Sequence, residues 1–235
     1  MIESILKLSF AVITLIASYQ LTKSHSPKEH WRDKVTLSWS VAVAAAVVML
    51  GRLPIFDDQL RFFLLITFAI ILIVPDLLTG YLPIKINLAG WAVTALYLWR
   101  EPGANLIEWS YSAGMYALML GLPTILVMVR HYWSHRRLML PVGIGDFILI
   151  PLLAALAGEW VLVPLAVVIA TIVTLIIHIL PSQFLFLGYV DEGQSEENEI
   201  YLKVKSAQPA GPGLIIGAIA VNFIPTQHLL HYILN

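Results

Sequence analysis

Long apolar runs separated by short polar stretches make up most of this chain. Runs such as Phe63–Val74 and Val161–Leu180 approach the roughly 20 apolar residues a helix needs to cross a bilayer. Read in order, the pattern predicts helices over 3–21, 36–51, 60–75, 86–99, 109–129, 145–158, 160–180 and 211–230. The 36–51 and 86–99 stretches are short, and 145–158 reaches only about 21 Å. Gly158-Glu159 reads either as a tight turn or as the cap of a helix that does not fully cross. The expected fold class is all-α: a polytopic transmembrane helix bundle of about eight spans, within a range of six to eight. Residues 1–235 are expected to form a single integral membrane domain.

Sidedness follows from the basic residues, which gather on the cytoplasmic side of membrane proteins. With eight spans, one side carries the loops 22–35, 76–85, 130–144 and 181–210, which hold ten of the fourteen Lys and Arg residues. The other side holds Lys7, Arg52, Arg61 and Arg100. The first set of loops is therefore placed in the cytoplasm and both termini outside.

Composition agrees with this class. Of the 235 residues 59% are hydrophobic and 12% charged, against about 25% charged in an average soluble domain, and the mean hydropathy is +0.82. The net charge of −1 and the lack of a basic stripe leave no expectation of a nucleic-acid partner. The lipid bilayer is the first partner implied. Without cysteine the chain can form neither a disulfide nor a thiolate metal site. Ile5–Leu21 has no clear basic segment before it and no small-x-small site after it, so it reads as a retained first helix rather than a leader. Residues 181–210 read as a solvated cytoplasmic loop, with Asp191, Glu192, Glu196, Glu197 and Glu199 clustered in it.

Two acidic residues stand apart from the other thirteen. Asp76 and Asp146 each lie at the edge of a long apolar run, and Asp146 closes a Gly143-Ile144-Gly145-Asp146 turn. A carboxylate at bilayer depth costs about 2.5–3.5 kcal/mol on the insertion scale, which marks it as a functional candidate. Under the sidedness above, both fall at cytoplasmic helix ends. Two adjacent carboxylates can share one proton, so one takes a proton from water while the other protonates a carbonyl oxygen. Taken singly, each has a plainer reading: Asp146 as the N-cap of a helix over 147–157, and Asp76 as the end of the third helix.

Three blocks occur in order around them. Asp76 is followed seven residues later by Pro83, Gly143-x-Gly145-Asp146 opens a helix, and Pro209-Ala210-Gly211-Pro212 enters the last one. This set resembles the type IV prepilin peptidases, a family of bacterial intramembrane aspartyl proteases of the GxGD type, over roughly residues 60–225. The resemblance implies that Asp76 and Asp146 are the catalytic pair. It also implies that Gly143, Gly145, Pro83, Pro209, Gly211 and Pro212 shape the site. It further implies cleavage of a leader from prepilin or pseudopilin precursors at the cytoplasmic face of the bacterial inner membrane, with no metal and no cofactor.

The chain departs from the family pattern at Ile84, where Asp or Asn is common, at Ile148, where Lys is common, and at Ala210, where Phe or a similar large residue is usual. Its first cytoplasmic loop is short and lacks the four cysteines that accompany N-methyltransferase activity, so that activity is not expected. Two alternatives stay open: another GxGD-type intramembrane protease, and a non-enzymatic proton-coupled transporter. His131 and His135 beside Arg130, Arg136 and Arg137 read as a positive-inside anchor, and the seven tryptophans as an interface belt.

Overall fold

The computed structural model describes residues 2–25, 32–53, 60–79, 84–100, 105–135, 144–179 and 210–224. Among them every regular element is a helix: α1 (Ile2–His25), α2 (Arg32–Leu50), α3 (Leu60–Thr79), α4 (Ile84–Arg100), α5 (Leu106–His135), α6 (Ile144–Ile148), α7 (Ile150–Ala157), α8 (Val163–Ile179) and α9 (Gly211–Ala220). Short 3-10 turns precede α8 and follow α9. The all-α expectation holds.

Among the described residues three helices are long and apolar enough to cross a membrane: Ile5–Ser24, Leu106–Ser134 and Trp160–Ile177. Shorter apolar helices cover Lys34–Leu50, Phe62–Leu78, Ile86–Trp99 and Gly211–Phe223. The three long ones keep large apolar side chains on their outside, among them Ile5, Leu8, Val12 and Ile16 on α1 and Leu118, Leu122 and Leu126 on α5. Such surfaces are stable in contact with lipid rather than water, which makes this a membrane protein. Their inner faces are narrow. On α1 that face is Ala11, Thr14, Ser18 and Thr22, all buried. The three hydroxyls donate to carbonyls one turn back, those of Phe10, Thr14 and Ser18. Each polar group is thereby satisfied within its own helix and can be buried without a partner.

At the centre lie α3, α7 and α9. From Leu65 to Leu78 every side chain of α3 except Phe68 is buried, as are Leu152–Ala157 of α7 and most of α9. A helix that is apolar all round belongs inside a bundle. Here α1, α2, α4, α7 and α9 pack around α3.

The contact between α8 and α9 is the closest. A Cβ placed on Gly213 would stand 2.6 Å from the Ala170 carbonyl oxygen and also collide with Thr174 Oγ1, and one on Gly217 would collide with the Ala166 carbonyl. Gly213 and Gly217 are one turn apart, so they present a bare stripe on which α8 lies backbone to backbone, as small-xxx-small pairs do in membranes.

Two expectations are corrected. The third helix does not end at Pro75. It runs on to Thr79 with Pro75 inside it, because packing of the buried Leu77 and Leu78 outweighs the backbone bond a proline removes. The predicted 145–158 helix forms two pieces separated at Leu149. Pro151 has no N–H for the Phe147 carbonyl, which interrupts the ladder there. Helix α7 then ends at Gly158, whose φ of +69° suits a residue without a side chain. This segment packs against α4, α5 and α9 and is shorter than a usual span.

Candidate active site

Asp76 sits in the last turn of α3 and Asp146 in the first turn of α6. Seventy residues apart in sequence, they meet at one end of the central helices, close enough for their charges to interact. Both are enclosed, with 3% of Asp76 and 7% of Asp146 exposed. The backbone N–H of Gly211, at the start of α9, donates to the Asp76 carboxylate. Pro212 follows in the first turn of that helix, where its missing N–H costs nothing. Asp76 Oδ2 is buried with no hydrogen-bond partner among the described residues. A buried polar atom left so costs about 1–3 kcal/mol, which a structural aspartate would not retain without compensation.

Asp146 of α6 and Gly211 of α9 thus both act on Asp76, Gly145 and Pro212 are their neighbours in the chain, and α3 and α9 pack directly. Gly143, Pro83 and Pro209 lie outside the described residues, as does the acidic loop up to residue 209.

How the segment carrying Asp146 is held was not foreseen from the sequence. Interrupted at Leu149 and ended at Gly158, α6 and α7 do not have a continuous helical ladder. Away from water backbone groups must be satisfied by protein. Five side chains from three other elements donate to carbonyls of this segment. From α4, Asn87 Nδ2 reaches the Gly145 carbonyl at 3.4 Å and Trp91 Nε1 the Ile148 carbonyl at 2.8 Å. From α5, Trp109 Nε1 reaches Pro151 at 3.1 Å and Ser112 Oγ reaches Gly158 at 2.8 Å. From the turn after α9, Asn222 Nδ2 reaches Leu156 at 2.7 Å.

The sequence signal for Asn87 and Asn222 was an amide inside an apolar stretch. Trp91 and Trp109 were hidden by a plainer role, since most tryptophans near helix ends serve the membrane interface. Trp99 and Trp133, each 77% exposed, fit that role.

Comparisons of the chain with protein-family models, with curated proteins and with solved structures each found no match.

Proposed function

We propose that the protein is a membrane-embedded aspartyl endopeptidase that removes the leader from prepilin-like precursors at the cytoplasmic face of a bacterial inner membrane. The observation that carries the reading is the meeting of Asp76 and Asp146, two buried carboxylates from distant parts of the chain. The ordered Asp76–Pro83, Gly143–Asp146 and Pro209–Pro212 blocks support it. In this reading the chain crosses the membrane about eight times, residues 60–225 form the peptidase core, and the 181–210 loop is cytoplasmic.

The chemistry needs only the two carboxyls and water. With one proton between them, the ionised carboxylate takes a proton from water as its oxygen attacks the scissile carbonyl carbon, and the neutral partner protonates the carbonyl oxygen. The tetrahedral diol then collapses. The C–N bond breaks, the amine leaves with a proton, and a carboxylic acid remains. Burial matters because charge interactions are stronger where water is excluded. A transporter would carry its ionisable groups near the bilayer midplane. Here Asp76 occupies the last turn of its helix, which favours the peptidase.

The test is to co-express a panel of prepilins with the wild type and to follow the shortened product by mass spectrometry. Cleavage after a short basic leader by the wild type, lost in both Asp76→Asn and Asp146→Asn at equal expression, is the expected result. A wild type that cuts no member of the panel would overturn the assignment.

A further inference from the structure

We infer that Asn87, acting with Trp91, is a positioning residue that holds the turn carrying Asp146. The inference rests on the peptidase reading. Asp146 stands on α6, a helix of five residues, far below the length at which a helix is stable alone. Its neighbour Gly145 offers no side chain for packing. The orientation of the Asp146 carboxyl therefore depends on what grips this turn from outside.

The grip comes from α4, which packs on both α6 and α7. Asn87 and Trp91 are four residues apart on α4 and so project from one face. Their N–H groups end on the carbonyls of Gly145 and Ile148, one residue before Asp146 and two after it. Two donors one helical turn apart thus bracket the acidic residue. The Gly145 carbonyl also accepts the Leu149 N–H at 3.1 Å, so Asn87 adds a second, external tie at the point where α6 would otherwise be held only by itself.

Folding alone does not account for an asparagine here. Asn87 is 2% exposed, and its Oδ1 is buried without a partner among the described residues. A leucine of similar shape would carry no such orphan and would bury well against the neighbouring helices. What leucine would lack is the N–H on Gly145. Retaining a poorly satisfied amide at this position serves the placement of Asp146 rather than stability.

The experiment compares wild type, N87L, N87Q and W91F in liposomes against a precursor that the wild type cleaves, with D146N as the inactive reference. Thermal unfolding and amide hydrogen exchange over residues 145–149 are measured on the same proteins. Misplacing a reacting group by about 1 Å costs on the order of 10²-fold. N87L is therefore expected to lose about 10- to 100-fold in kcat, with KM within about 2-fold and thermal stability unchanged or higher. Exchange at 145–149 should rise. N87Q keeps a side-chain N–H and should retain more kcat than N87L, while W91F should show a smaller loss of the same kind.

N87L with wild-type kcat, or a loss confined to KM, would overturn the positioning role while leaving the peptidase reading intact. Unchanged exchange at 145–149 in N87L would overturn the clamp whatever the cleavage assay gives. A wild type that cleaves nothing would instead overturn the peptidase reading, and the exchange result would still decide whether Asn87 holds this turn.

Discussion

The outer helices and the inner ones solve opposite problems with the same apolar residues. On α1, α5 and α8 most large apolar side chains face outward, and the hydroxyls of Thr14, Ser18, Thr22, Thr124 and Thr171 are satisfied within their own helix. Such helices depend little on their neighbours for backbone pairing. The inner segment α6–α7 is interrupted by Pro151 and ended by Gly158, and its carbonyls are completed by side chains from α4, α5 and the turn after α9. The outer helices should therefore tolerate change, whereas the inner ones are tied into place where the two aspartates meet. Regular helices make a good shell, and broken ones can bring two carboxylates together.

Substitutions at the centre should act on chemistry first. Replacing Asp76 or Asp146 by Asn is expected to lower the cleavage rate by at least about 10²-fold, the usual range for a general acid or base being about 10²–10⁴. Unfolding temperatures should stay near wild type, so that inactive but folded protein is the result to look for. The same pair should give a bell-shaped dependence of kcat/KM on pH. The singly protonated pair is the active form, so activity falls below the lower apparent pKa, where no base remains, and above the upper one, where no acid remains. A profile with one limb would mean that only one titrating group matters.

The next largest effect should be on stability. Gly217→Leu forces a side chain into the Ala166 carbonyl at the α8–α9 contact and should cost about 1–3 kcal/mol or more, read as a lower midpoint of unfolding in detergent. Because α9 also brings Gly211 to Asp76, activity should fall with it. Asn222→Leu removes the donor to the Leu156 carbonyl and should cost about 1–2 kcal/mol. At the other end of the scale, Trp133→Leu on the exposed part of α5 should change stability by no more than about 0.5 kcal/mol. A large effect at Trp133, or none at Asn222, would erase the distinction between shell and centre.

Hydropathy located the helices but not all their ends: the expected 211–230 helix gives way to a 3-10 turn after Ala220, and the expected 109–129 helix runs from Leu106 to His135. It could not tell which runs face lipid and which face protein. Phe63–Val74 reads like a span, yet α3 is the most enclosed helix of the bundle. Apolar side chains look alike in either surrounding. The pairing of Asp76 with Asp146 was legible from two carboxylates bordering apolar runs, with Gly143 and Gly145 beside one of them. That Asp76 lies inside a helix was not, since Pro75 is a local signal to stop and only the packing of Leu77 and Leu78 overrides it. The roles of Asn87 and Trp91 were equally out of reach. They depend on which helix lies alongside α6 and which of its carbonyls that helix can reach.

The central claim is that Asp76 and Asp146 work as one unit, and a double-mutant cycle on the cleavage rate tests it most directly. With precursor, wild type, D76N, D146N and the D76N/D146N double variant in matched liposomes, each single change should cost nearly as much as both together, as for residues that act jointly. Losses that multiply, with the double variant slower by the product of the two single effects, would mean that the aspartates act independently and would contradict a shared-proton dyad.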